Sequence, residues 1–347
     1  MLRYILRRLL EVIPTTLGVL LLTFVLFNVV GGSPAEAILG KNASAESIAA
    51  FNHRFGYDKP LLFGTRPAEP AAGGGIGTET AVDDGGTGAE AATASGGIAW
   101  IFDSQFFDFL FRLAKGDLGY SIELDEPVAD VLKRGVGPSL ALTAPILAGG
   151  TLVALMLALA ASACRGRALD KGVLVASTVL MSVNYVIWVI AGQFLLSYKA
   201  GIFPVWGWGD ARYLVLPVII GIVSSLGMDV RFFRTAILDE IYKPYVLTAR
   251  SKKLSSAAIL VRHVLRNALV PIVTYISLSI PYLFTGSLLL ESFFGIPGLG
   301  SVSINAIHSA DMAVVRSVVV LGALLYQFVN LVTDLAYALL DPQVRLS

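Results

Sequence analysis

Six runs of mostly apolar residues dominate this chain, at roughly 10–30, 138–163, 172–197, 213–230, 271–291 and 316–340. A helix needs about 20 such residues to cross a bilayer. Inside hydrocarbon every backbone N–H and C=O must be paired within the protein, so helices are the form these runs take. Composition agrees: 55% of the chain is hydrophobic and only 15% charged, against about 25% charge in soluble domains. The expectation is an all-α polytopic membrane protein with six transmembrane helices. The fourth run is the shortest and is interrupted by Pro217 and Gly221. The first, Val12 to Val30, exceeds the apolar core of about 7–15 residues in a cleaved signal peptide, so it reads as a retained span.

Charge asymmetry sets the orientation, because Lys and Arg concentrate in cytoplasmic loops. Arg3, Arg7 and Arg8 precede the first run, and Arg165, Arg167 and Lys171 follow the second. The 229–270 segment carries eight basic residues against Asp229, Asp239 and Glu240. Six spans place all three segments on one side, which predicts both termini and the 229–270 loop in the cytoplasm. Residues 31–137 fall on the other side and carry eight basic and fifteen acidic residues. The chain thus divides into an N-terminal tail with the first span (1–30), an external segment (31–137) and a five-helix core (138–347). Within the external segment, 64–98 holds 10 Gly and 8 Ala among 35 residues. Such a stretch buries too little to offset its ordering entropy and reads as a disordered insertion. The flanks 44–63 and 100–134 read as ordered. Ile101-Phe102, Phe106-Phe107 and Phe109-Leu110-Phe111 form an amphipathic helix on the membrane surface or against the bundle.

Catalytic chemistry has no signature here. There is no His-Glu-x-x-His, no Gly-x-Ser-x-Gly and no Gly-x4-Gly-Lys-Ser/Thr loop. The one cysteine, Cys164, excludes an internal disulfide. His53, His263 and His308 lack metal-ligand spacing. Intramembrane acids would suggest a proton relay, but Glu11, Asp229, Glu291 and Asp334 fall near the predicted span ends. Uncharged polar residues are placed otherwise. On the fifth span Thr274, Ser277, Pro281 and Thr285 share roughly 80° of arc at 100° per residue. They suit a translocation-path lining or an ordinary helix–helix contact. Tyr326, Asn330 and Asp334 share a face on the sixth, suiting an interhelical polar seam. Ala154, Ala158 and Ser162 form a ridge of small residues for close packing on the second.

Within the basic loop, Pro244 suits a first helical turn, with acidic Asp239 and Glu240 before it. That helix runs to about Lys252. Ser255 is a favourable N-cap for a second, which Pro271 ends or bends into the fifth span. The apolar positions Tyr245, Val246, Ala249, Leu254, Ile259 and Leu260 need something to pack against, so the loop is more than a tether.

Four stretches resemble the inner-membrane permeases of dipeptide, oligopeptide and nickel ABC importers. They are Met1-Leu-Arg-Tyr-Ile-Leu-Arg-Arg-Leu-Leu-Glu-Val-Ile-Pro-Thr15, Lys115-Gly-Asp-Leu-Gly-Tyr-Ser121, Phe294-Gly-Ile-Pro-Gly-Leu-Gly300 and Leu340-Asp-Pro-Gln-Val-Arg345. To these the loop adds Tyr245-Val-Leu-Thr-Ala-Arg-Ser-Lys-Lys-Leu254 and Arg262-His-Val-Leu-Arg-Asn-Ala-Leu-Val-Pro271. The resemblance spans nearly the whole chain except 64–98. It implies the type I ABC importer permease fold in a bacterial inner membrane. The chain would form half of a path for di- or oligopeptides, with nickel or another small solute as the alternative and a secondary carrier as a further one. The implied partners are a second homologous permease subunit, two cytoplasmic ATPase domains, an external solute-binding protein and membrane lipid, with no nucleic acid. ATP and Mg would be bound by the ATPases, leaving this chain without cofactor, metal or catalytic residue. The loop would be the coupling helix, docking through Tyr245, Thr248, Ala249, Arg250, Lys252, Lys253 and Leu254. Arg250, Lys252 and Lys253 would orient it, while Tyr245, Ala249 and Leu254 would pack. Lys253 stands where the family has Gly, a residue that relieves a left-handed helix end. The expectation is that Lys253 accepts the strain or the turn changes shape, and that it meets an acidic patch on the ATPase. The 64–98 insertion is expected to be dispensable.

Overall fold

The computed structural model describes residues 2–30, 44–55, 59–62, 103–121, 123–281, 283 and 287–340. The 64–98 insertion, Thr285, Ile101-Phe102 and the tail after Leu340 lie outside the described residues. The chain forms two compact units, Met1–Leu20 with Gly119–Ser347, and Leu21–Leu118.

The smaller unit takes in the end of α1 (Leu2–Val25) from Leu21, which winds into a π-helical turn at Leu26–Val30, and adds α2 (Ala45–Phe55) and α3 (Gln105–Ala114). The apolar face of α3 packs on the first span: Phe106 meets the buried ring of Phe24 edge-on with centroids 5.3 Å apart, and Phe109 lies at 5.9 Å. Ser104 caps α3 by accepting from Phe107 N and donates to Leu62 O. Lys59 bridges Asp103 and Asp108 at 2.8 Å each, and these hydrogen bonds raise its ammonium above the usual lysine range.

In the larger unit a two-stranded ribbon, β1 (Tyr120–Ser121) and β2 (Glu126–Pro127), leads into α4 (Val128–Ala163). Next come α5 (Ala168–Ser182), α6 (Tyr185–Gly192, extended by a π segment Gln193–Lys199) and α7 (Arg212–Ile241). The short α8 (Pro244–Ser251) precedes α9 (Ser256–Ser279), whose segment Ile259–Val264 is π-helical. Then follow α10 (Leu288–Phe294), α11 (Leu299–His308) and α12 (Met312–Leu340).

Among the described residues five helices are long and apolar enough to span, and two further pairs are bent: α5 against α6 by 90°, and α10 against α11 by 86°. The expected third span is therefore broken, at Val183-Asn184, where Asn184 caps α6 by accepting from Val186 N. The expected fifth span, 271–291, is displaced. Its helix starts at Ser256, runs through Pro271 without stopping and ends at Ser279. Pro271 follows the π-helical stretch and is absorbed in the rod. The fourth run, weakest in sequence, is a continuous 30-residue helix with Pro217 in its second turn. At about 1.5 Å per residue α7 is roughly 45 Å long, against a hydrocarbon layer of about 30 Å. Hydropathy registers only the part of such a helix that lies in lipid.

The core runs along α4 and α7. Ala154, Ala158 and Ser162 are buried, as their spacing predicts, and the two alanines pack with Val230, Phe233, Ala236 and Ile237. Gly221 of α7 lies so close to α4 that a Cβ there would sit 2.5 Å from the Ile146 side chain. Between helices in lipid, where burial of apolar surface supplies no net drive, such close approach is what binds them. Asp170 of α5 and Arg234 of α7 add a buried two-pronged ion pair at 2.7 and 3.0 Å, with Gly166 N donating to the same carboxylate.

Candidate functional site: a polar cavity and a basic hairpin

Past the end of α9, Pro281 and Leu283 are again helical, and α10 follows from Leu288. Beside the end of α9 lies a cavity of about 350 Å³, walled by α4, α7, α9, Tyr185 at the α5–α6 bend, and Leu290 of α10. On its wall Thr143 donates to Ser139 O at 2.6 Å, with Leu283 O at 3.1 Å, and the Tyr185 and Ser287 hydroxyls pair at 3.4 Å. The volume falls near the lower end of small-ligand sites, about 300–1,000 Å³.

The α9 face on this cavity is Tyr275, Ile276 and Ser279, continuing to Leu283. It is not the predicted face. Thr274 turns its hydroxyl back onto Val270 O at 2.9 Å, Pro281 is buried, and neither they nor Ser277 line the cavity. One residue along a helix rotates the face by about 100°, so Tyr275 and Ser279 point where Thr274 does not. Opposite them, Ser225 and Asp229 share an α7 face at four-residue spacing. Tyr275 donates to Asp229 Oδ1 at 2.9 Å, its ring stacked on Phe232 at 4.5 Å and edge-on to Phe233 at 6.0 Å. Asp229 is not at a helix end: α7 continues to Ile241, about 18 Å beyond it at about 1.5 Å per residue. The matching i, i+4 polar pairs 225/229 and 275/279 were the sequence signal for this site.

Glu291 also leaves its expected place near a span end. It is fully buried, accepting from Ser139 Oγ (2.8 Å), Ser287 N (3.0 Å), Gly300 N (2.6 Å) and Ser301 N (3.1 Å). Ser139 in turn accepts from Leu299 N at 2.8 Å. One carboxylate thus ties α10 and α4 to the N-terminus of α11, where helix N–H groups favour an anion. The glycines of Phe294–Gly300 follow. Gly295 sits at φ +67 under the Trp206 ring, and a Cβ on Gly300 would fall 2.8 Å from both the carboxylate and Leu288 N. Ser121, from the Lys115–Ser121 stretch, donates to Asp311 Oδ2 at 2.6 Å, while Asp311 Oδ1 accepts from Val314 N near the start of α12.

The basic hairpin forms as its capping residues predict. Pro244 opens α8, and Ser255 caps α9 by accepting from Ala258 N at 3.2 Å. Lys253 takes φ +54 and donates N–H to Arg250 O at 2.9 Å, so the side chain is carried in the left-handed conformation. Val246 and Ala249 face inward, packed with Phe233, Ile237, Ile259, Leu260 and Val264. Tyr245 packs against this cluster and donates to Glu240 at 2.7 Å, while Lys243 bonds the same carboxylate. Burial raises the Tyr245 phenol, and the Glu240 hydrogen bond raises the Lys243 ammonium. Of the two residues expected to pack on a partner, Ala249 is buried within the chain and Tyr245 is half-buried. Thr248, Arg250, Lys252, Lys253 and Leu254 are exposed, joined by Leu247, which the sequence reading passed over.

The model of the binding-protein-dependent transport system inner membrane component matches residues 131–346, and that of the corresponding N-terminal region matches residues 1–65. A glutathione transport system permease protein of Salmonella typhimurium is 28% identical over 99% of both chains. A di/tripeptide transport system permease protein of Pseudomonas aeruginosa is 30% identical over 99% of both. A glutathione transport system permease protein of Shigella flexneri is 27% identical, again over 99% of both. The role is transport rather than catalysis, in a multi-pass protein of the inner membrane. The chain belongs to the family of binding-protein-dependent transport system inner membrane components, the permease subunits of ABC importers.

Proposed function

We propose that this chain forms half of a translocation path for short peptides and is driven through α8 by a cytoplasmic ATPase. The observation that carries the reading is a cavity lined by hydroxyls and one carboxylate, joined by continuous α7 and α9 to a hairpin with an outward basic face. A push on α8 reaches the cavity because Val246 and Ala249 are embedded in the same apolar cluster as the α7 and α9 side chains. Peptide as cargo is supported by the relatives whose names specify glutathione and di/tripeptides. The remaining parts are a second homologous permease, two ATPase domains that bind the ATP and Mg, and an external binding protein, with both termini of this chain in the cytoplasm. The docking face is Leu247, Thr248, Arg250, Lys252, Lys253 and Leu254. Any transition between inward- and outward-facing states requires contacts that differ between them, and ATPase closure supplies them here.

The test is the reconstituted importer in proteoliposomes with a peptide-loaded binding protein. Arg250→Glu with Lys252→Glu reverses two exposed charges, and the expected result is a fall of at least about tenfold in stimulated ATP hydrolysis and uptake, since like charges across an interface cost several kcal/mol. Unchanged stimulation would remove α8 as the docking element.

A further inference from the structure

We infer that Asp229 is a cargo-binding group that holds the positively charged amino terminus of the peptide in the cavity; this rests on the peptide reading above. The cavity wall is apolar or carries neutral hydroxyls, apart from one carboxylate, Asp229. A single charge in such surroundings selects for the opposite charge, because low dielectric strengthens its pairing with a cation and penalises leaving it unpaired. Its geometry is built. Tyr275 donates to Oδ1 at 2.9 Å and is held by Phe232 and Phe233, so the carboxylate is oriented by rings packed on two sides. Ser225 also hydrogen-bonds the carboxylate; with about four acceptor positions, the two hydroxyls together leave capacity for an ammonium. Among the described residues no Lys or Arg lines the cavity to neutralise it. Thr151, Ser224 and Ser279 line the same space; Ser224 donates to Gly221 O at 2.9 Å, so its oxygen faces the cavity as an acceptor for peptide N–H groups.

The alternative is that Asp229 only ties α7 to α9 through Tyr275. Uptake by the complete importer in proteoliposomes separates the two, using one dipeptide with a free amino terminus and its N-acetyl form, each at concentrations that saturate the binding protein. For Asp229→Asn, the free-amino dipeptide is expected to slow by about tenfold or more and the acetylated form by less than about twofold, since a charge-assisted hydrogen bond is at stake only in the first. Asp229→Glu, which keeps the charge, is expected to restore the discrimination. Equal loss for both cargoes, or no loss for either, overturns the assignment while leaving the peptide reading intact. A wild-type importer that moves neither dipeptide overturns the peptide reading, and the assignment with it. ATP hydrolysis stimulated by the loaded binding protein, retained in Asp229→Asn, shows that the variant is folded and coupled.

Discussion

The basic hairpin and the α10–α11 pair are both short, bent elements hung on long helices, and they are held by opposite means. α8 is fixed by apolar side chains, Val246 and Ala249, sunk among Phe233, Ile237 and Ile259. The α10–α11 pair is fixed by one buried carboxylate, Glu291, gathering a serine hydroxyl and three backbone N–H groups. The difference follows the solvent. α8 follows the end of α7, whose length exceeds the hydrocarbon layer, so water drives its apolar face inward. The α10–α11 pair passes the length and composition test for a broken span; against lipid, apolar burial gains nothing and directional hydrogen bonds take over.

The largest expected effect tests the polar anchor. Glu291→Leu leaves Gly300 N, Ser301 N, Ser287 N and Ser139 Oγ without their acceptor, a loss of about 3–5 kcal/mol. It should appear as a clear drop in melting temperature of the detergent-solubilised complex. An unchanged melt would break the comparison. Next, Val246→Ala should cost about 2 kcal/mol from lost apolar burial. It should be read as faster hydrogen exchange across 244–255, with exchange in 288–308 unaffected. Faster exchange in both segments would mean that the two anchors are not independent. The smallest effect has the opposite sign. Lys253→Gly removes a side chain from φ +54 and should stabilise the hairpin by about 1 kcal/mol. Any loss of stimulated ATP hydrolysis in that variant, beside a more stable hairpin, would assign the Lys253 side chain to docking. Wild-type activity would assign its cost to no purpose at that interface.

Part of this was legible in the residues. Pro244 and Ser255 marked helix starts correctly because capping is a local matter of a few backbone groups. Ala154 and Ala158 announced a packing ridge because small residues at four-residue spacing have few other uses in lipid. The 271–291 run misled, since hydropathy cannot tell a straight span from a rod that ends at Ser279 followed by a bent pair; both bury the same residue types. The cavity face was missed by one position. Thr274 and Tyr275 are equally polar in a sequence, and only the rotation of α9 against α7 settles which meets Asp229. Asp229 and Glu291 passed as boundary charges because burial and partnership depend on residues 46 and 152 positions away, Tyr275 and Ser139.

The sequence by itself determined that this is a membrane-embedded all-α chain with a basic, capped hairpin, because hydropathy, charge asymmetry and capping act over one turn to one helix length. Tertiary structure alone decided where the third run bends, which face of α9 lines the cavity, and that Ala249 serves the chain's own core while Leu247 stays exposed. Those outcomes depend on close approach between α4, α7 and α9 and on which buried polar group finds a partner, and no local pattern encodes either.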